Sequence, residues 1–179
     1  AIGYAALGAN TTGANNTALG ADALYANTTG TWNTAVGDSS LKANTTANAN
    51  TSVGYQAMLV NTTGASNVSF GYHSLKANTT ASYNTAIGRS ATTSSVSSSN
   101  ETMLGYGATG QGNNTVTLGN SSVSKVYAAQ DGEAVVYAGG ITFADGTSMT
   151  TATGSGGASA LNDLSDVSTY SNGVWINGG

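Results

Sequence analysis

The chain has 179 residues, 7% of them charged, a net charge of −4, and neither cysteine nor proline. With Lys42, Lys76, Arg89 and Lys125 as its only cations, it is a poor electrostatic partner for nucleic acid or anionic membrane surfaces. Absence of cysteine excludes a disulfide framework, and no segment is long and apolar enough to insert in a bilayer as a helix.

From the first residues onward a repeat dominates. Gly3, Gly20, Gly37, Gly54, Gly71, Gly88 and Gly105 follow one another at 17-residue steps, and Gly119 follows after 14. A fixed period of this kind means one supersecondary unit stacked many times. The residue before each glycine is large and apolar: Ile2, Leu19, Val36, Val53, Phe70, Ile87, Leu104 and Leu118. Two before it the side chain is small, as in Ala18, Ala35, Ser52, Ser69 and Ala86, until Met103 breaks the column. Four after it stand Leu7, Leu24, Leu41, Met58 and Leu75, and this column lapses at Thr92.

Thr-Ala-aliphatic-Gly alternates as a short strand does, and the Asn-Thr-Thr runs at Asn10, Asn27, Asn44, Asn61 and Asn78 are turn chemistry. A second asparagine column, at 16, 33, 50, 67 and 84, precedes each strand. One unit has room for about two short strands and turns, too little to bury an apolar face alone. The expected fold is therefore all-β, a parallel β-solenoid in which each strand pairs with its equivalent one coil on. The glycine is expected at a turn requiring positive φ or close backbone approach. Stacked asparagines are expected to hydrogen-bond from coil to coil.

Which column faces inward is a separate expectation. The aliphatic column before the glycine is assigned to the chain's own interior, and the small column to close approach of another chain. So thin a core implies a homotrimer sharing one axis.

Residues 1–119 thus form a repeat shaft of about seven coils. Val123, Val126 and Val135–Tyr137, with Asp131-Gly132 between them, are predicted to form a hairpin. Ile141 and Phe143 before Asp145-Gly146 predict a further strand and turn. Residues 120–153 are assigned to a β-collar closing the solenoid, 154–160 to a Gly/Ser linker, and 161–179 to the start of another small module with a strand at Val174–Ile176. Ala1 opens inside a repeat unit, so the chain is expected to belong to something longer.

Reactive chemistry finds little support. His73 is the only histidine and is assigned to the solvated surface; three copies meeting at a trimer axis would be the one route to a metal site. Asp22 and Asp38 lie on adjacent coils, where glycosidase spacing is conceivable, yet solvated turn aspartates describe them better. Asp131, Asp145, Asp163 and Asp166 sit beside turn residues without EF-hand spacing. No catalytic residue, metal ligand or cofactor is assigned. Asn10, Asn27 and Asn78 match glycosylation sequons, a by-product of turn composition. Recognition is left to the variable surface, with Trp32, Tyr83 and Tyr25 as candidate contacts and Tyr4, Tyr55, Tyr72 and Tyr106 as a recurring column assigned to subunit packing.

The Asn-Thr-Ala-aliphatic-Gly units at 33–37 and 84–88 resemble the head repeats of trimeric autotransporter adhesins, whose left-handed parallel β-rolls stand three abreast and whose shorter repeat is similar to the Gly105–Gly119 step. The 17-residue unit, with Gly-Tyr-Gln-Ala-Met (54–58) and Asn-Thr-Thr-Gly (61–64), resembles fibres of tailed bacteriophages, especially those of marine cyanobacteria. Residues 136–152 and 161–167 look like modules of such fibres. The resemblance implies a left-handed, homotrimeric tail-fibre shaft on the virion surface. It implies partners among other virion or fibre proteins and a host-surface carbohydrate or protein. An adhesin head on a bacterial surface is the alternative, and a polysaccharide-degrading spike a more distant one. Thr92 and Ser94-Ser95-Val96 depart from the repeat, so a looser or differently bonded coil is expected there.

Overall fold

A computed structural model describes residues 1–126, 141–142 and 148–149. Two compact units divide the chain, Ala1–Val126 and Tyr127–Gly179.

The first unit is a β-solenoid. Its strands are β1 (Thr17–Leu19), β2 (Thr34–Val36), β3 (Thr51–Val53), β4 (Val68–Phe70), β5 (Thr85–Ile87), β6 (Thr102–Leu104) and β7 (Val116–Leu118). They form one parallel sheet in chain order, each pairing with the next. Register follows the glycine period: Ala18 faces Ala35 and Val36 faces Val53. The 14-residue step keeps this order, because Leu104 still pairs with Leu118. Each regular coil holds one three-residue strand, not two. The rest of the coil turns through left-handed backbone and bonds to its neighbours, as in Leu24 N–H to Ser40 O at 3.0 Å and Leu41 N–H to Ala57 O at 3.1 Å.

The glycine ladder meets both of its expected requirements. Gly37 has φ 122° and Gly71 has φ 139°. A Cβ at Gly37 would stand 2.6 Å from the carbonyl oxygen of Gly54, and one at Gly71 the same distance from that of Gly88. No side chain fits where backbones approach so closely.

The interior reverses the sequence-based assignment of the two strand columns. Ala18, Ala35, Ser52, Ser69 and Ala86 are buried, while Leu19, Phe70, Ile87, Leu104 and Leu118 are exposed and Ile2 is 71% exposed. The small column packs with Leu24, Leu41, Met58 and Leu75, all fully buried, into one apolar cluster. A coil this thin has room for one large side chain per layer. Leucine from the turn takes that room, so only Ala or Ser fits on the strand's inner side. Serines in this column are bonded: Ser40 Oγ donates to Ser52 Oγ at 2.8 Å and Ser69 Oγ to Ser74 O at 2.9 Å.

Met103 and Thr92 are parts of one exchange. Thr92 bridges Thr109 where the leucine column would continue, and Met103 is fully buried on the strand side. The large side chain has moved from one wall to the other, which preserves the filled volume.

Two asparagine ladders carry the polar half of the interior. Nδ2 of Asn27, Asn44, Asn61 and Asn78 each donates to Oδ1 of the asparagine one coil back, at 2.9–3.2 Å. In the second ladder, Oδ1 of Asn16, Asn33, Asn50 and Asn67 accepts the backbone N–H of the next asparagine in the column. Buried amides are thus satisfied along the rod, as burial demands, except at the last rung, where the asparagine column ends and Asn78 Oδ1 has no partner among the described residues. The sequon side chains of Asn27 and Asn78 are fully buried and committed to these bonds.

In the irregular coil Glu101 takes the asparagine position. Fully buried, it accepts Ser94 N–H at 3.0 Å and Gly112 N–H at 2.8 Å, and its own N–H donates to Asn84 Oδ1. This coil is differently bonded, as expected.

Val123 lies outside any strand, in a turn whose N–H bonds to Asn120 O at 3.0 Å, which corrects its predicted place in a hairpin. The remainder of that hairpin, the 154–160 linker and the 161–179 module lie outside the described residues. In the second unit, β8 (Ile141–Thr142) pairs antiparallel with β9 (Ser148–Met149), agreeing with a strand at Ile141.

Candidate binding surfaces

Three features of the outer surface are candidates for function. The first is the outward side of the seven-stranded sheet. Strand alternation sends Ala35 in and Val36 out, so the large residues before each glycine line up along the rod. Val68 and Val116 add to this face at 38% and 68% exposure. A row of apolar side chains on solvent-facing strands marks an interaction surface more than a chance distribution does.

The second is the turn bearing Trp32 and Tyr83, 64% and 66% exposed. Both have left-handed backbone, φ 58° and 64°, in a column otherwise filled by Asn15, Ala49, Ser66, Asn100 and Asn114. Asparagine tolerates that conformation, whereas a bulky aromatic residue pays for it. The fold gains nothing visible from an indole there, which supports a surface role. Tyr25, 44% exposed, stands elsewhere, beside Lys42, whose Nζ lies 5.9 Å from its ring centre.

The third is a stack on the turn after the glycine. Tyr55 and Tyr72 have ring centres 5.4 Å apart and planes 19° from parallel. The His73 ring lies 3.9 Å from that of Tyr72, and its Nε2 is 3.1 Å from Gln56 Oε1. The Arg89 guanidinium stands 5.5 Å from the Tyr72 ring centre and 5.7 Å from that of Tyr106. This column packs along its own chain, coil on coil. Burial, then the positive charges of Lys76 and Arg89, lower the His73 pKa below its ordinary 6.5.

Carboxylates are engaged singly. Asp22 accepts Lys42 Nζ at 2.8 Å, which raises the lysine pKa first through that hydrogen bond and then through charge. Asp38 accepts Ser39 Oγ at 2.8 Å. Among the described residues no three His, Cys, Asp or Glu side chains gather where they could hold a metal ion. No helix among them is long and apolar enough to cross a membrane. His73 is half-buried, not fully solvated, because the tyrosine stack flanks it. The recurring tyrosine column is legible in the sequence but assigned there to subunit packing, whereas Tyr55 and Tyr72 stack along their own chain with Arg89 next in the ladder. Arg89 stands between Tyr72 and Tyr106 at the same 17-residue spacing, the signal for its place between their rings.

Comparison with known proteins matches the chain to no family model, no curated protein and no solved structure.

Proposed function

We propose that this chain is a non-enzymatic shaft segment of a trimeric fibre, of the kind that carries host-binding regions on a phage tail fibre or related appendage. The observation that carries the reading is the apolar row Ile2, Leu19, Val36, Val53, Phe70, Ile87, Leu104 and Leu118 on the outward side of the sheet. Three left-handed rolls packed by these rows around one axis would bury them, and residues 120–153 would form the collar at the end of the shaft. The partner surface is then the large column, not the small one. Such a rod performs its task by length and stiffness, and several rods engaging weak surface ligands together gain avidity without a strong single site. Its partners would be two further copies of itself, neighbouring virion proteins, and a carbohydrate or protein of the host surface, with Trp32 and Tyr83 as contacts.

The head of a bacterial trimeric autotransporter adhesin is the second reading, favoured by the 14-residue coil from Gly105 to Gly119. Sedimentation equilibrium of the purified chain tests the common core of both. A mass of three chains is expected, and a monomer at micromolar concentration would overturn it. Antibody against the shaft, applied to intact virions and bacterial cells from the source, separates the two readings by which surface it decorates.

A further inference from the structure

Lys76, Arg89 and His73 form the one cluster of basic side chains among the described residues, on a chain whose net charge is −4. From Gly54 to Val126 the only carboxylate is Glu101, which is fully buried and bonded to backbone. The positive charge of this face therefore has no acidic neighbour of its own there, unlike Lys42, which Asp22 holds at 2.8 Å. Burial first, and then the charges of Lys76 and Arg89, lower the His73 pKa. A shallow groove bounded by Val60, His73, Lys76, Ala77, Ser90 and Thr92 runs beside the stack.

Hydrogen bonding leaves donors free. When His73 Nε2–H donates to Gln56 Oε1 at 3.1 Å, it offers no lone pair to Lys76 Nζ, 3.4 Å away. The ammonium group then keeps its donors for a ligand. The Arg89 guanidinium stands near the rings of Tyr72 and Tyr106 and is held by no ion pair among the described residues, so its N–H groups are available to a carboxylate or sulfate. Tyr55 and Tyr72 spend ring faces on each other. Exposed, they offer edges and hydroxyls instead, which suit a hydroxyl-rich chain better than nucleobases seeking an open ring face.

We infer that the face formed by Tyr55, Tyr72, His73, Lys76, Arg89 and Tyr106 is a binding site for an acidic polysaccharide, with Lys76 and Arg89 taking its carboxylate or sulfate groups. The site rests on the reading of the rod as a surface-attachment fibre and names the ligand class for it. Stacked coils present the basic groups at successive levels of the rod, so a polymer lying along the axis meets them in sequence.

Affinity electrophoresis of the full chain in native gels containing polygalacturonate, dextran sulfate or unmodified dextran tests this. Retardation is expected in one or both acidic gels and not in dextran, and the active gel identifies carboxylate or sulfate as the group read. The doubly substituted variant Lys76→Gln, Arg89→Gln is expected to weaken it at least tenfold, with unchanged circular dichroism and sedimentation. Lys42→Gln removes one positive charge elsewhere and is expected to stay within twofold of the parent. Equal retardation by dextran, an unchanged double variant, an equal loss in Lys42→Gln, or equal binding of single-stranded DNA would each overturn the site. The oligomer mass is read from the same samples. A three-chain rod that ignores acidic glycan therefore defeats the site alone, and a monomer defeats the fibre reading.

Discussion

Ala35 and Val36 are adjacent in β2, yet the alanine is fully buried in the coil and the valine faces outward, in register with Leu19 and Val53. The two therefore answer to different demands. Ala35→Leu adds three carbons to a filled interior and is expected to destabilise the chain by about 1–3 kcal/mol, measured by urea denaturation. Val36→Asp is expected to leave the coil folded by circular dichroism and to shift sedimentation from trimer toward monomer. The opposite pattern would restore the aliphatic column to the interior.

Asn44 ties three coils together. Its Nδ2 donates to Asn27 Oδ1 at 2.9 Å and its Oδ1 accepts Asn61 Nδ2 at 3.2 Å, all fully buried. Asn44→Ala strips a partner from each neighbour, and the expected loss is about 2–4 kcal/mol. Asn10→Ala, at the partly buried end of the ladder, is expected to cost less than half as much. Equal costs would mean that the ladder does not stabilise the rod through buried bonds.

Gly71→Ala places a methyl group against the Gly88 carbonyl at φ 139°, and more than about 4 kcal/mol is expected, enough to leave little folded chain. Gly112 has φ 114° but open space where its Cβ would stand. Gly112→Ala therefore meets backbone strain alone, about 1–3 kcal/mol. Thermal melts of the pair separate close approach from conformation.

His73 is the only histidine, so its ring protons report one titration. Burial and the charges of Lys76 and Arg89 hold its folded pKa below the unfolded value of 6.5. As pH falls through that value the unfolded chain takes up the proton first. The stability contribution is thus full above pH 6.5 and is lost as pH drops toward the folded pKa. Urea midpoints are expected to fall from about pH 7.5 to 5.5, and to fall less in His73→Gln. A proton NMR titration at or above the free-histidine value would contradict this.

Trp32→Asn puts a residue tolerant of φ 58° where an indole now stands. Stability is expected to hold or rise by roughly 0.5–1 kcal/mol, because the left-handed penalty shrinks. Attachment to the host surface, scored by binding of labelled rod to cells, is expected to weaken. A large loss of stability would instead make Trp32 a packing residue.

The repeat, the parallel pairing, the glycine turns and both asparagine columns were legible in the sequence because each rests on local chemistry. Gly37 needs its φ wherever it is read, and an Asn recurring every 17 residues must meet its copy once strands pair in register. Exposure of Trp32 and Tyr83 was legible for the same reason, from a column otherwise small and polar. Alternation in Thr34-Ala35-Val36 could say that two faces exist, but a period of two is the same whichever one is inside. That choice depended on the space left by Leu24, Leu41, Met58 and Leu75, residues of other coil positions that close the interior only after folding. Glu101 is the sharper case. A glutamate in an asparagine column reads as an interruption, and it becomes a bonded, buried anchor only where Ser94 and Gly112 bring their N–H groups to it. Spacing along the chain sets which residues stack. The enclosed volume and the donors gathered around each position set which way those residues face.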